Sequence, residues 1–142
     1  MSLQRTAAAT AVAAVALAAA LSGVRRVEVR GASMEPSLLA GDHLLVLGWG
    51  RPRRGDVVAL RDPRRPAERA LVKRVAAGPG EAATCAGVVL RAGPRGYVVL
   101  GDNLAESTDS RSFGAVRPAL LLGRCVYRYA PEARRGRLAR RG

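Results

Sequence analysis

Histidine, lysine, cysteine and aromatic residues are all scarce in this chain of 142 residues. One histidine and two cysteines disfavour a Cys/His zinc site, and we expect neither a metal nor a cofactor. A Ser-His-Asp enzyme would have to use His43, which follows a Gly-Asp turn and is better explained as a turn or strand-end residue. Phe, Trp and Tyr total five, so Val, Leu and Ala must build the core. That is enough for one small domain and excludes a TIM barrel.

Basic residues outnumber acidic ones by 24 to 11, and Lys73 is the single lysine among them. A coding bias toward arginine explains such a skew without any function. Chemistry is the other explanation, because arginine stays protonated whereas a buried lysine can lose its proton and act as a base. The net charge of +13 also admits a non-enzyme alternative, a membrane-tethered basic binding module. Scattered arginines and few aromatic residues argue against a nucleic-acid partner.

An uncharged segment of 19 residues, ten of them alanine, occupies residues 6–24. A helix of this length, at about 1.5 Å per residue, covers roughly the 30 Å hydrocarbon core of a bilayer. We expect a membrane anchor here, with a cleavable signal peptide and a buried soluble helix as alternatives. Arg5 precedes the segment, while Arg25, Arg26 and Arg30 follow it. By the positive-inside rule, these charges favour a cytoplasmic location for the domain that follows.

Short apolar runs separated by glycine, proline and arginine follow this segment and predict a mainly β, antiparallel domain. Residues 1–5 are then an N-terminal tail, and residues 25–130 form the domain. The last twelve residues, 131–142, carry five arginines and little that can pack, so we expect a solvated or membrane-surface tail. The strand candidates are residues 27–30, 44–47, 57–60, 71–75, 88–90, 97–100 and 120–129.

Lys73 lies inside one of these strand candidates. Alternate residues of a strand share a face, so Lys73 points with Leu71 and Val75 into an apolar layer, and Arg74 points the other way. Burial lowers the pKa of a lysine, which a lysine general base requires near neutral pH. The alternative is a lysine that extends its ammonium group to water along an apolar surface.

Two further segments are rich in groups that support catalysis. Ser33 follows a strand and a small-residue turn, and Met34, Pro36 and Leu38 make the loop after it apolar. A serine nucleophile needs an adjacent base, although most serines in such loops are structural. Residues 101–114 (GDNLAESTDSRSFG) are dense in polar groups, with Asp109 and Arg111 spaced for an ion pair across a turn; the alternative is a hydrophilic surface turn.

Three motifs in order resemble those of bacterial signal peptidase I. The nucleophile motif Ser-Met-x-Pro-[Thr/Ser]-Leu is met by residues 33–38 (SMEPSL). The lysine motif is met by residues 73–75 (KRV) and the turn at 78–81 (GPGE). The last motif, Gly-Asp-Asn followed by Ser-x-Asp-Ser-Arg, is met by residues 101–114. The likeness covers roughly residues 27–129.

The resemblance implies a Ser/Lys serine protease on a β-rich fold. Ser33 would be the acylated nucleophile and Lys73 the neutral general base. Ser107 matches the serine that orients the lysine, and Asp109 and Arg111 match its supporting salt-bridged pair, with Asp102 nearby. The loop with Met34, Pro36 and Leu38 would face substrate or membrane.

The resemblance also implies an environment and substrates. Substrates would be extended chains with small residues at the −1 and −3 positions, and the oxyanion would be held by the Ser33 amide and one further donor. Some relatives supply that donor from a hydroxyl at the position of Gly31, which leaves it unassigned here. The family places the domain on the extracytoplasmic side of a membrane, opposite to what the flanking charges favour. Whether Cys85 and Cys125 pair there is open.

Only 27 residues separate Lys73 from Gly101, so the chain corresponds to a minimal catalytic core. Exported preproteins that carry signal peptides are the expected substrates. The small proteases that remove the propeptide of nickel superoxide dismutase are also similar, so one dedicated propeptide is the alternative.

Overall fold

A computed structural model describes residues 2–142, with side chains described from Thr6 onward. It begins with helix α1 (Ser2–Ser22) and continues as a mainly antiparallel β structure. The helix therefore already includes most of the predicted tail at residues 1–5, and Met1 lies outside the described residues. The predicted fold class is confirmed for the β domain.

Helix α1 forms because alanine has the highest intrinsic helix propensity. Its side chains from Thr6 to Ser22 are exposed, including Val12 and Val15 at about 70% of their surface. Among the described residues, no helix is both long and apolar enough to qualify as a membrane span. Alanine is only weakly apolar, so an uncharged segment that is rich in alanine can have too low a hydropathy for a membrane span.

Within the described residues the chain forms nine strands, one further short α-helix, α2, and three single-turn 3-10 helices. The strands are β1 (Val24–Glu28), β2 (His43–Leu47), β3 (Val57–Arg61), β4 (Ala70–Ala77), β5 (Ala82–Cys85), β6 (Val88–Arg91), β7 (Val98–Leu100), β8 (Leu121–Ala130) and β9 (Gly136–Arg137); α2 is Ser110–Phe113. All seven predicted strands are present, with β1 starting three residues early. Strands β5 and β9 were not predicted.

Six strands follow one path across the main sheet, in the order β1-β2-β8-β3-β4-β7, and β9 adds to β8. Each of these pairings is antiparallel. Strands β5 and β6 form a separate two-stranded hairpin. This order puts β1 at one edge of the sheet and β4 near the other.

Alternation along β3 divides the core into two layers. Val57 and Ala59 belong to one cluster of buried side chains, and Val58 and Leu60 belong to another. A strand that is buried on both faces carries a continuous apolar run, as this one does. Strand β4 follows the same rule, because Val72 packs in the first cluster and Val75 in the second.

The C-terminal residues do not form the solvated tail that the sequence predicted. Strand β9 pairs with β8, and Leu138 packs against the first core cluster. Arg134 forms an ion pair with the fully buried Asp42, and Arg140 forms one with Asp56 at 2.7 Å. The arginines that predicted a tail in water instead neutralise buried carboxylates of the domain.

The two cysteines lie on different sheets, Cys85 at the end of β5 and Cys125 in β8. Both are buried free thiols. Burial raises the pKa of Cys125 to about 12. The structure therefore contains no bond between these two residues.

Candidate active site

Lys73 lies in the middle of β4 and is buried, with 3% of its surface exposed. Burial lowers the pKa of its amine below the ordinary lysine value of 10.5. The charge of Asp109 opposes this shift, and that of Arg111 adds to it. The lysine therefore does not extend to water, and the predicted burial is confirmed.

One hydroxyl group connects Lys73 to a buried carboxylate. The Lys73 Nζ donates a hydrogen bond to the Ser107 Oγ at 3.1 Å. Ser107 in turn donates to the Asp109 Oδ2 at 2.7 Å. Because the single hydroxyl proton points at Asp109, the Ser107 oxygen is free to accept from the lysine.

Asp109 is fully buried and has several donors. Arg111 reaches both of its carboxylate oxygens, at 2.9 and 3.0 Å, and the Gly101 amide donates to Oδ2 at 3.0 Å. Burial alone would raise the pKa of Asp109, but these hydrogen bonds outweigh it and hold the pKa below its ordinary value. Asp109 also caps α2 by accepting from the Arg111 amide. The ion pair predicted from sequence is present.

Ser33 lies in the loop between β1 and β2. Two side chains of this loop, Met34 and Leu38, are 1% exposed and pack in the first core cluster, while Pro36 is exposed. Of the predicted loop that faces substrate or membrane, Met34 and Leu38 do not face a membrane, because the core buries both; the substrate-facing alternative stays a prediction. Met34 also borders the cavity beside Ser33.

The polar segment after β7 supports the Ser33 loop through Asn103. The Asn103 amide donates to the Ser33 carbonyl at 2.9 Å, and its side chain donates to the Ala32 carbonyl at 3.1 Å. A single residue thus binds two consecutive peptide groups of the loop. Sequence reasoning missed this role, although the Gly-Asp-Asn motif was a signal for it.

Asp102 pairs with Arg74 rather than with the lysine. The Arg74 Nε and Nη2 donate to its two oxygens at 2.8 and 2.7 Å, and both side chains are largely buried. Burial would raise the pKa of Asp102, but the bidentate pair with Arg74 outweighs burial and lowers it. Alternation predicted that Arg74 points away from the Lys73 face, but it did not identify the partner.

Ser33 and Lys73 border one cavity of about 350 Å³, which lies between β1 and the first half of β4. Residues Arg26 to Arg30 form one wall, and Glu68 to Lys73 form the other. Strand β1 is an edge of the sheet, and β7 pairs with β4 only from Arg74 onward. Both walls therefore present backbone that an extended peptide can pair with.

His43 does not line this cavity. It begins β2, and its ring lies 5.7 Å from that of Tyr129. Over residues 2–142, no group of three or more potential ligand side chains is arranged to hold a metal ion.

Residues 3–93 match the family described as "Signal peptidase, peptidase S26". The chain is 38% identical over 116 residues to the mitochondrial ATP-independent inner membrane protease subunit 1a of Arabidopsis thaliana, covering 72% of this chain and 68% of that protein. It is 37% identical over 122 residues to mitochondrial inner membrane protease subunit 2 of Mus musculus (78% and 69% covered). It is 30% identical over 139 residues to signal peptidase I of Leptolyngbya laminosa (75% and 68% covered).

A β-rich domain with these relatives is a peptidase of the signal peptidase type. The chain belongs to the signal peptidase S26 family. The matched range includes Ser33 and Lys73, and it ends before the segment with Ser107 and Asp109.

Proposed function

We propose that this protein is a membrane-associated serine endopeptidase in which Ser33 is the nucleophile and Lys73 the general base. One observation carries the proposal. The single lysine of the chain is buried, has a lowered pKa, and opens into the same cavity as Ser33. A lysine needs this environment to be neutral and to accept a proton.

We infer the proton movement from the cavity that Ser33 and Lys73 share. Ser33 Oγ attacks the scissile carbonyl carbon while its proton moves to the neutral Lys73 Nζ. The tetrahedral intermediate collapses, the C–N bond breaks, and the Lys73 ammonium protonates the leaving amine. Water then attacks the Ser33 ester while Lys73 accepts its proton; the ester C–O bond breaks, and the Lys73 ammonium returns the proton to Ser33 Oγ.

Ser107 orients the base for these transfers. A neutral amine has two N–H donors and one lone pair. Because Ser107 takes one N–H at 3.1 Å, the amine's rotation is restricted and its lone pair is directed away from Ser107. Asp109 fixes the hydroxyl, and Arg111 neutralises Asp109, which keeps its charge from raising the pKa of Lys73 further.

The Ser33 backbone N–H is one donor to the oxyanion. The second donor is unassigned, because Gly31 has no side chain and so contributes no hydroxyl. The substrate is an extended chain between β1 and β4, where Met34 and Val72 line the cavity, and the resemblance to signal peptidase I implies small residues at −1 and −3. We infer exported preproteins as its class; a single dedicated propeptide is the alternative.

Membrane association is inferred through α1. Its 21 residues extend about 30 Å, and its apolar side chains are exposed rather than packed on the domain. Two of the relatives carry "inner membrane" in their names. We place the catalytic domain outside the cytoplasm, and protease protection of a tagged C-terminus in membrane vesicles tests that side against the one favoured by the flanking arginines.

The test of the chemistry uses purified full-length protein, a serine-acylating β-lactam-type or phosphonate inhibitor, and a peptide with alanine at −1 and −3. We expect one adduct, located at Ser33 by mass spectrometry, and peptide cleavage after the −1 residue. Ser33→Ala and Lys73→Arg should each lose both signals, because guanidinium cannot release its proton at usable pH. Ser112→Ala, which removes an exposed hydroxyl, is the matched control.

Normal turnover by Ser33→Ala or Lys73→Arg would end the proposal. A folded wild-type protein that neither labels nor cleaves would favour the basic binding module instead. Cleavage of one propeptide, with none of several unrelated preproteins, would favour the dedicated protease.

A further inference from the structure

The C-terminal residues 136–141, which we name the strap, lie against the domain. Strand β9 pairs with β8 at the start of the strap, and the Leu138 amide donates to the Val126 carbonyl at 3.1 Å. The Leu138 side chain packs against the first core cluster. Backbone pairing and an apolar contact therefore hold the first half of the strap against the domain.

Two contacts then connect the strap to the turn before β3. Arg140 Nε donates to the Asp56 Oδ1 at 2.7 Å, and the Arg141 amide donates to the Gly55 carbonyl at 3.2 Å. Asp56 is buried, while Arg140 is half exposed. The Arg140–Asp56 ion pair thus holds the end of the strap against the turn before β3.

Arg74 joins this turn and the strap to the motif residue Asp102. Its Nη1 donates to the Gly55 carbonyl at 2.9 Å and to the Ala139 carbonyl of the strap at 3.2 Å. Its Nε and Nη2 are used by Asp102. The strap therefore supplies one of the acceptors that hold the guanidinium plane in the orientation that binds Asp102 bidentately.

Asp102 and Arg74 are each one residue from a group that the chemistry uses. Arg74 follows Lys73 in β4, and Asp102 precedes Asn103, which binds the Ser33 carbonyl. Fixing the Arg74–Asp102 pair therefore fixes the position of the Ser33 loop relative to the lysine. The strap itself lies outside the cavity between β1 and β4.

We propose that the strap is a positioning element for the dyad, with Arg140 holding it to Asp56 and Ala139 contacting Arg74. This inference rests on the proposed protease function. It predicts that loosening the strap lowers kcat and leaves KM nearly unchanged, because the peptide-binding walls keep their residues. Misplacement by about 1 Å can cost on the order of 10²-fold in rate, and a partial loosening costs less.

The experiment measures kcat, KM and thermal unfolding of the full-length protein with the peptide substrate. We expect Arg140→Ala to lower kcat about fivefold at a temperature where the variant is fully folded. Arg140→Lys should remain within about twofold of wild type, because the ammonium still pairs with Asp56. Arg135→Ala removes an exposed arginine of the same C-terminal region and is the control. A deletion of residues 138–142 should lower kcat further, on the order of 10²-fold.

Unchanged kcat in Arg140→Ala would overturn the inference while leaving the protease function intact. A lower melting temperature with unchanged kcat would also overturn it, since the strap would then only stabilise the fold. If the deletion variant does not fold, the comparison of kcat between Arg140→Ala and Arg140→Lys tests the inference by itself. An inactive wild type would instead remove the proposed function, and the positioning role with it.

Discussion

Gly101 lies between the two halves of the site, and its replacement by alanine should separate them. A Cβ built at this position would lie 2.5 Å from the Ser33 carbonyl oxygen and 2.5 Å from the Ser107 Cβ, and it would overlap the Ser107 hydroxyl. Contacts under about 3.0 Å do not occur for real Cβ atoms. The backbone of Gly101 is outside the left-handed region, so the constraint on this residue is space rather than conformation.

The magnitude follows from the displacement that relieves the overlap. Ordinary contact begins near 3.4 Å, so the Ser33 loop and Ser107 must each move by at least about 0.9 Å, unless Gly101 itself shifts. A shift of about 1 Å in a catalytic group costs on the order of 10²-fold in rate. Overpacking costs about 1–3 kcal/mol of stability, so a well-folded variant is expected to melt several degrees lower but remain folded at 25 °C.

The assay is kcat/KM on the peptide substrate, with thermal unfolding measured in parallel. Gly142→Ala is a matched control, because its Cβ would meet nothing within 4 Å, its backbone is also outside the left-handed region, and it lies beyond the strap. We expect about a 10²-fold loss for Gly101→Ala and less than a twofold change for Gly142→Ala. Full activity in a folded Gly101→Ala protein would refute the geometry that joins Ser33 to Ser107.

Three further predictions test the mechanism. His43→Ala should change kcat by less than about twofold, whereas a Ser-His mechanism predicts a loss of several orders of magnitude in the same measurement. The kcat/KM profile should fall as pH drops through the lowered pKa of Lys73. Arg111→Ala should move this acidic limb to higher pH, because it removes a positive charge that lowers the pKa of Lys73 and leaves Asp109 less neutralised. Replacement of the exposed Arg91 by alanine should leave the limb in place, and an unmoved limb in Arg111→Ala would contradict this electrostatic account. Removing residues 1–22 should preserve cleavage of a free peptide and reduce cleavage of a membrane-inserted precursor, since the described α1 side chains, from Thr6 onward, are exposed and not part of the core. Equal loss on both substrates would show that the helix is part of the catalytic fold.

The secondary structure was largely predictable where one local pattern dominates. Continuous apolar runs produced β3 and β4, and glycine-proline turns bounded them, because these signals act within a few residues. Strand β5 has the sequence AATC, which is too weakly apolar and too short to stand out without its partner β6. Strand β9 is two residues long, and it forms because β3 pairs with β8 only as far as Arg124, which leaves the rest of that side of β8 unpaired.

The loop after Ser33 shows where local reasoning fails. Its apolar residues predicted a loop that faces substrate or membrane, yet Met34 and Leu38 are core side chains, and only Pro36 of the three is exposed. An apolar residue in a loop can be covered by the rest of the fold or left exposed, and the sequence pattern is the same in both cases. Only the position of the loop over the sheet distinguishes them.

The C-terminal arginines are a second case in which local sequence did not predict the environment of the side chains. Five arginines in twelve residues predicted a solvated tail, because isolated basic runs repel one another. In the fold they meet Asp42 and Asp56, carboxylates more than 75 residues away along the chain. Ion pairs between residues so far apart depend on the topology of the fold, and the composition of the segment does not predict that topology.

By itself, the sequence determined the β class of the domain, the face of β4 to which Lys73 points, and the local ion pair between Asp109 and Arg111. Each depends on a period of two residues or on a short turn, so near neighbours are sufficient. The tertiary structure alone decided which distant groups meet: Ser107 with Lys73, Asn103 with Ser33, and Arg74 with Asp102 and the strap. These contacts require strands from separate parts of the chain to be packed in one order, and no local pattern specifies that order.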